Sequence, residues 1–164
     1  MEALEAMTAR RSVRQYLDRP VDRGILERLV DAGRLAPTAR NEQPWDFVVV
    51  TDRSVLKQIG ALADHGRFIA DAGACIAVIC REVKYYLEDG CAATENILIA
   101  AAALGVDSCW VAGDKKPYGA DIMKMLNVPE GYKVISLLAL GYRAAEPKPY
   151  TKRELSSVLH WERF

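Results

Sequence analysis

The stretch APTARNEQPWDFVVV, residues 36–50, joins a polar loop directly to an apolar strand. DFVVVT at 46–51 is a continuous run of β-branched and aromatic residues of strand length, which predicts a strand. Just before it, Thr38, Asn41 and Gln43 supply a hydroxyl and two amides, and amides present the paired donors and acceptors that can bind the edge of a planar heterocycle. A solvated loop beside a packed tryptophan fits the same residues, so this stretch predicts a strand and leaves the role of its loop open.

The apolar patterns on either side of this stretch predict an α+β fold. Apolar positions that recur at helical spacing alternate with short apolar runs of strand length. Helices are expected over 2–9, from the N-cap Asp22 to Pro37, and over 54–63, 91–105 and 119–129, and strands over 46–51, 74–80, 107–111 and 133–141. The helix at 91–105 is rich in alanine, which lets another backbone approach closely, so it is expected at a subunit interface.

Two of these strands, at 46–51 and 74–80, are continuous apolar runs, and each would be covered on both faces if it is a central strand of the sheet. Cys75 and Cys80 lie five residues apart in the second run, so their side chains should point to opposite faces and not bridge each other. The chain has four cysteines, with no CxxC pair and no histidine at metal-ligand spacing. We therefore expect buried free thiols and no metal site.

The composition is typical of a soluble globular protein of about one domain, spanning 1–164. Apolar residues make up 51% and charged residues 27%, as in ordered proteins. Lys plus Arg number 22, as do Asp plus Glu, so no global field would draw the molecule to nucleic acid or to an anionic membrane. The richest apolar run, at 97–106, has ten residues, against roughly 20 for a membrane span. MEALEAM at the start has no basic region, so no secretory signal is expected. We therefore expect a cytoplasmic location.

A second chemical motif, RRSVRQY at 10–16, concentrates three arginines and a serine. Arg10, Ser12 and Arg14 alternate, so in an extended segment their side chains would point the same way. Guanidinium groups bind phosphate oxygens in bidentate geometry, and a hydroxyl between them adds a further donor. The segment therefore favours a local phosphate site, although a solvated basic turn has the same composition.

Together, RRSVRQY and APTARNEQPWDFVVV resemble the nitroreductase family of FMN-dependent oxidoreductases, whose members carry an RRSxR-like entry and an APSxxNxQPWxFVVV-like loop and strand. LGVDSCWVAG at 104–113 is similar to the family's strand and turn against the isoalloxazine ring. ALGYR at 139–143 and TKRELSSVLHW at 151–161 are similar to its closing strand and tail. The resemblance covers nearly the whole chain. It implies a central, mixed and mostly antiparallel sheet flanked by helices, in an intertwined homodimer whose C-terminal tail lies on the partner.

The resemblance also implies which residues hold FMN at the dimer interface. On the phosphate, ribityl and pyrimidine side it places Arg10, Arg11, Ser12 and Arg14, with Arg153 and Lys152 closing on the phosphate. From the other subunit it brings Pro37, Thr38, Asn41 and Gln43. His65 would face the pyrimidine edge, and Val111, Ala112 and Gly113 would lie along the ring, with one backbone N–H near N5.

Some positions depart from the family's pattern. Phe68 stands where many longer relatives carry a second cation near N1 and O2, so Arg14 alone would stabilise negative charge on the reduced ring, which should lower its reduction potential. Thr151 stands where a basic residue usually lies two before the arginine, which makes Arg153 a better phosphate ligand than Lys152.

The segment REVKYYLEDG at 81–90 is too short for the helices that enclose the substrate pocket in longer relatives. An open substrate channel is expected, with Tyr85 and Tyr86 as candidate lining residues, although ordinary surface aromatics at a helix start fit equally well.

The implied activity is hydride transfer from NADH or NADPH through flavin N5 to a small acceptor such as a nitroaromatic or a quinone, with ping-pong kinetics. No catalytic side chain is required, since the flavin carries the hydride. Dehydrogenation, dehalogenation or flavin fragmentation on the same fold remain alternatives, as does a flavin-binding redox module without turnover. Nucleic-acid binding by the N-terminal arginines is a further alternative, against which the zero net charge and the interleaved acidic residues count.

Overall fold

A four-stranded antiparallel sheet forms the centre of the computed structural model, which describes all residues, 1–164. The helices are α1 (Ala3–Ala9), α2 (Arg23–Arg34), α3 (Arg53–Leu62), α4 (Tyr86–Ala103) and α5 (Gly119–Met125). The strands are β1 (Trp45–Val50), β2 (Ala74–Arg81), β3 (Asp107–Ala112) and β4 (Tyr132–Gly141). Short 3-10 turns lie at Ala39–Asn41, Arg67–Asp71 and Leu155–Ser157. The predicted α+β fold and its order of elements are confirmed.

The strands are ordered β1-β2-β4-β3, and every neighbouring pair is antiparallel. β2 and β4 are central and buried along almost their whole length. Cys75 packs in the core on one face of the sheet and Cys80 in the core on the other, as the predicted alternation requires. β1 is an edge strand with Val49 40% exposed, so the condition for coverage on both faces is met by β2 and not by β1. An apolar run alone does not distinguish an edge strand from a central one.

Side-chain caps set the starts of two helices. Asp22 and Asp52 cap α2 and α3, and each carboxylate accepts hydrogen bonds from two backbone N–H groups of the first turn. α4 begins at Tyr86, earlier than the predicted start at 91, with Glu88 and Asp89 in its first turn. Acidic residues stabilise a helix N-terminus, but they interrupt the apolar pattern from which the start was predicted.

Two helices end earlier than expected. α2 stops at Arg34, ahead of Pro37, because the residue before a proline disfavours helical geometry. α5 stops at Met125, and Asn127 then adopts a left-handed φ of 54° before Pro129. The prolines therefore mark the connections and not the last helical residues.

The arginine-rich segment runs along the outer edge of β3. Ser12 forms an isolated parallel bridge with Ser108, and the Val13 N–H donates to the Ser108 carbonyl at 3.0 Å. Val13 is buried, and the hydroxyl of buried Tyr16 donates to its carbonyl at 2.7 Å. These contacts hold the segment extended, so the side chains on either side of Val13 face away from the core.

The C-terminal tail makes few contacts with the rest of its own chain. The last backbone bond to the folded body joins the Ala144 N–H to the Gln15 carbonyl at 2.9 Å. Every residue from 151 to 164 is exposed, including Leu155 at 70% and Trp161 at 76%. The tail thus carries apolar side chains that this chain does not cover. None of the helices combines the length and hydropathy that crossing a bilayer would need.

Candidate functional site

A basic cavity of about 610 Å³ opens over the arginine-rich segment. The segment contributes Arg10, Arg11, Ser12, Val13, Arg14 and Gln15, and the start of the tail contributes Ala145, Glu146, Pro147, Lys148, Tyr150 and Lys152. Five of these side chains are cationic, and the single carboxylate, that of Glu146, is paired with Arg143 at 3.0 Å. The local charge is therefore strongly positive in a chain whose net charge is zero.

A second cavity of about 470 Å³ adjoins the first and shares Arg14 with it. Its lining is more apolar: His65, Phe68, Cys109, Trp110, Val111, Ala112, Lys116 and Tyr118 join Arg14. The Arg14 guanidinium lies 5.9 Å from the centre of the Phe68 ring, at the outer limit of a cation–π contact. One cavity thus suits an anion and its neighbour suits a planar ring.

The edge of β3 presents one backbone N–H to the second cavity. The Gly113 N–H donates to the Ile135 carbonyl on β4 at 3.0 Å. In an antiparallel pair such bonded residues alternate, so Ala112, one residue earlier, directs its N–H and carbonyl away from β4. The Tyr118 hydroxyl donates to the Ala112 carbonyl at 2.5 Å. Of the three residues predicted along the ring, Ala112 is therefore the one whose N–H is free to donate.

Gly113 is required by a close approach to β4. A Cβ at this position would lie 2.7 Å from the Val134 carbonyl oxygen, closer than real side chains come. The sequence resemblance had linked this glycine to close contact with the ring, whereas the contact that the structure shows is with the sheet.

The thiol of Cys109 lies beneath the arginines and is almost fully buried. Burial raises the pKa of Cys109 above its ordinary value, and Arg14, Arg10 and a hydrogen bond from Ser12 oppose that rise. The net effect keeps the thiol neutral and unreactive, so this cysteine is part of the cavity lining and not a nucleophile.

The basic residues predicted to close on a phosphate separate into two groups. Lys152 lines the basic cavity, with its ammonium 5.3 Å from the centre of the Tyr150 ring. Arg153 instead donates to the Ser157 carbonyl within the tail at 2.5 Å and does not line the cavity. Arg11 also contacts the tail, donating to the Lys148 carbonyl and lying 4.3 Å over the Tyr150 ring. In this chain, then, Lys152 lies nearer to the arginines than Arg153 does.

The loop that carries Pro37, Thr38, Asn41 and Gln43 lies elsewhere. None of the four cavities that the arginine-rich segment lines includes a residue of this loop. It contacts the start of α4 instead, where Thr38 Oγ1 donates to Asp89 Oδ2 at 2.7 Å. Asn41 and Gln43 are exposed and face no group of the arginine-rich segment. Within one chain, the structure does not bring the two motifs together.

The two tyrosines proposed to line a substrate channel differ in their contacts. The Tyr86 hydroxyl donates to Asp114 Oδ1 at 2.9 Å, in the turn after β3. Burial and this hydrogen bond raise the pKa of Tyr86 to about 12, so it stays a donor. The Tyr85 ring is half-buried and lies 5.1 Å from the Lys84 ammonium. Tyr86 therefore joins the start of α4 to the turn beside the second cavity.

Several cavity residues were not identified from the sequence. Strand alternation could have found Trp110 as the neighbour of Ala112 on the outer edge of β3. Lys116 and Tyr118 belong to a turn whose path no periodic pattern predicts. Their position in the cavity follows only from the fold.

The donors present fit FMN. Arginines, two lysines and a serine hydroxyl line the cavity that would take the phosphate. Aromatic and aliphatic side chains with one free backbone N–H line the cavity that would take the ring. The structure contains no group of three or more histidine, cysteine or acidic side chains arranged to hold a metal ion.

Comparison with known proteins gives matches along most of the chain. The model of the family described as "Nitroreductase family" matches residues 7–74 and 69–142. A protein of Archaeoglobus fulgidus, provisionally named NADH dehydrogenase/NAD(P)H nitroreductase, is 37% identical over 157 residues, which cover 91% of this chain and 90% of that protein.

Solved structures match as well. An FMN-dependent nitroreductase from Clostridium difficile R20291 has a TM-score of 0.92 and 27% identity, covering 98% of this chain and 99% of that one. A structure from Parabacteroides distasonis, provisionally named NADH dehydrogenase/NAD(P)H nitroreductase, has a TM-score of 0.92 and 28% identity, covering 99% of this chain and 98% of that one.

Proposed function

The chain belongs to the nitroreductase family, and we propose that it is an FMN-dependent NAD(P)H oxidoreductase that reduces a small acceptor such as a nitroaromatic or a quinone. The observation that carries this proposal is the junction of the two cavities at Arg14, one basic and one mostly apolar. FMN, when bound, supplies hydride transfer at N5 between the nicotinamide and the acceptor. The chain's own residues supply binding, orientation and charge.

Arg10, Ser12 and Lys152 are the phosphate ligands in this proposal, and Arg14, at the junction of the two cavities, lies beside the ring. They line the same cavity, and no carboxylate inside it neutralises them, since Glu146 is bound to Arg143. The extended backbone fixed by buried Val13 directs the side chains of Ser12 and Arg14 outward before any ligand arrives. Such preorganisation reduces the entropy that binding would otherwise cost.

Two cations, Arg14 and Lys116, line the cavity proposed for the flavin ring. The sequence suggested that Arg14 acts alone, because Phe68 replaces the second cation of longer relatives. Lys116, half-buried and without an ion-pair partner, lines the same cavity as Arg14 and Phe68. We propose that Lys116, reaching in from the turn after β3, provides the second positive charge and raises the reduction potential of the bound flavin. The Ala112 N–H is the proposed donor to N5.

The proposed assembly is a homodimer in which each site takes residues from both chains. The loop at 37–43 carries amides suited to a flavin yet lines none of the cavities around the arginines of its own chain. The tail exposes apolar side chains that only a further surface would cover. Both observations support a second copy of this chain as the partner.

The test follows visible absorbance of the purified protein mixed with FMN while NADH or NADPH is added without oxygen. Bleaching of the bound flavin is expected, followed by recovery of its colour when a nitroaromatic or a quinone is added. The double variant Arg10→Met/Arg14→Met should lose FMN binding, whereas Arg23→Met, at a highly exposed position on α2, should not.

A protein that takes up no FMN would overturn the proposal. Bound FMN that neither nicotinamide reduces would indicate another flavin reaction on the same fold, or a redox module without turnover.

A further inference from the structure

Resting on the proposed function, we propose that Asp89 is a positioning residue for FMN binding: its carboxylate, through Thr38, holds the loop at 38–43 in the conformation that presents Asn41 and Gln43 to the flavin of the partner subunit. Thr38, expected to contact the flavin, acts in this proposal by holding the loop.

The loop has a backbone conformation that its sequence does not favour. Arg40, Asn41 and Gln43 have φ angles of 55°, 56° and 46°, in the left-handed region that side chains other than glycine rarely adopt. Three such residues within four positions persist only where surrounding contacts determine the conformation. They also carry the two amides that the family resemblance assigns to the flavin.

The hydrogen bonds that hold the loop in this conformation involve one carboxylate, that of Asp89. Asp89 is 5% exposed, and each of its oxygens accepts one bond: Oδ2 from Thr38 Oγ1 at 2.7 Å and Oδ1 from the Ala39 N–H at 3.2 Å. Thr38 Oγ1 in turn accepts from the Gln43 N–H at 3.1 Å. The chain of bonds closes the loop from its first residue to Gln43.

This arrangement excludes direct donation from Thr38 to a flavin. A hydroxyl has a single proton, and that of Thr38 is directed to Asp89. The amide side chains of Asn41 and Gln43, in contrast, are exposed, and Gln43 Nε2 makes only a long bond of 3.4 Å to the Asn41 carbonyl. The Thr38 hydroxyl on the inner side of the loop therefore fixes the backbone, and the exposed amides on its outer side can bind a ligand.

Asp89 is itself held rigidly. It lies in the first turn of α4, where the helix dipole stabilises a negative charge. The next residue, Gly90, lies so close to the sheet that a Cβ would be 2.6 Å from Ile135 Cγ1 and 2.9 Å from Cys80 Sγ. The Tyr86 hydroxyl fixes the same turn to Asp114. The carboxylate therefore provides a fixed anchor for the strained loop.

The experiment measures FMN affinity of the full chain by fluorescence titration, for the wild type and for Asp89→Asn, Thr38→Val and Thr38→Ser. Thr38→Val keeps the side-chain shape without the hydroxyl, and Asp89→Asn removes the charge. Each is expected to weaken FMN binding about ten- to a hundredfold, as the loss of a hydrogen bond to a charged group predicts. Thr38→Ser should restore affinity to within about threefold, because it restores the donor. The matched control is Glu88→Gln, which removes a neighbouring exposed charge that makes no bond to the loop.

The double variant Asp89→Asn/Thr38→Val separates positioning from direct contact. If both residues act through one chain of bonds, the double variant should bind FMN about as well as either single variant. Thermal unfolding without FMN and sedimentation check that each variant folds and keeps its oligomeric state.

Three outcomes decide the matter. Weakened binding in both single variants, with rescue by serine and no further loss in the double variant, supports the proposal. Wild-type FMN affinity in Asp89→Asn, with a loss confined to Thr38→Val, would show direct contact by Thr38 and overturn it. Wild-type protein that binds no FMN would overturn the proposed function first and this inference with it.

Discussion

At the scale of single residues, Tyr118 shows how a buried side chain can orient a backbone group of the site. Its hydroxyl donates to the carbonyl of Ala112, the residue whose N–H faces the second cavity. Burial, and to a lesser extent Asp64, raise the pKa of Tyr118 above its ordinary value, so the phenol stays protonated and keeps donating. The bond fixes the peptide plane between Ala112 and Gly113, which adjoins the plane that carries the Ala112 N–H.

Tyr118→Phe is accordingly expected to slow flavin reduction by NADH or NADPH about three- to tenfold, the effect of one net hydrogen bond. FMN affinity should change little, because the phenol ring and its packing remain. Stopped-flow absorbance measures the rate and fluorescence titration the affinity. Tyr142→Phe, which removes a hydroxyl that makes no hydrogen bond within the chain, is the control, and equal rates in the two variants would contradict the role of Tyr118.

Lys116 offers a second test at this scale. Lys116→Met removes the cation that shares the ring cavity with Arg14, so the reduction potential of bound FMN should fall by roughly 20–40 mV, given about 30 mV for each 1.4 kcal/mol in a two-electron couple. A spectroelectrochemical or dye-equilibration titration measures this potential. Lys115→Met, at the adjacent exposed position outside the cavity, should leave it unchanged. An equal fall of the reduction potential in both variants would indicate a general effect of surface charge and would contradict the role of Lys116.

At the scale of elements, most of the fold could be predicted because each helix and strand carries its own pattern. The four strands and five helices occur in the predicted order. The features that the sequence patterns did not predict depend on information outside the helix or strand concerned. The start of α4 required weighing acidic capping against apolar periodicity, and the edge position of β1 depends on what packs beside it.

Gly90 provides a prediction about how α4 packs. A methyl group there would meet Ile135 and Cys80 below 3.0 Å, so Gly90→Ala should lower the free energy of unfolding by about 1–3 kcal/mol, the usual cost of overpacking a core. This outweighs the gain in helix propensity, which is at most about 1 kcal/mol. Urea unfolding followed by circular dichroism measures it. Cys91→Ala, at the half-buried next position, is the comparison, and a Gly90→Ala protein as stable as the wild type would show that α4 can move away from the sheet.

At the scale of the whole molecule, the site separates into a part that one chain builds and a part that it does not. The sequence predicted both motifs, and the structure assembles the arginine-rich segment with β3, Lys116 and Lys152 around two joined cavities. The loop at 37–43 lines neither cavity, and in the proposed dimer it would reach the flavin of the partner subunit. The periodic patterns of apolar residues in a sequence predict how helices and strands pack within one chain. They do not predict which surfaces of two chains come together.

The exposed tail makes the proposed dimer testable. Leu155 and Trp161 are exposed, and no residue of their tail beyond 150 is buried, so Leu155→Glu/Trp161→Glu should leave the secondary structure of the folded body unchanged. If these side chains pack on a second copy, two buried charges there are unfavourable enough to dissociate it. Sedimentation equilibrium should then report a monomer where the wild type is a dimer, and FMN affinity should fall because the loop at 37–43 no longer reaches the partner's site. Glu154→Gln, a neighbouring exposed position, should preserve both. A double variant that stays dimeric and keeps FMN would place the dimer contact elsewhere, whereas a monomeric variant with full FMN affinity would show that a single chain suffices for the site.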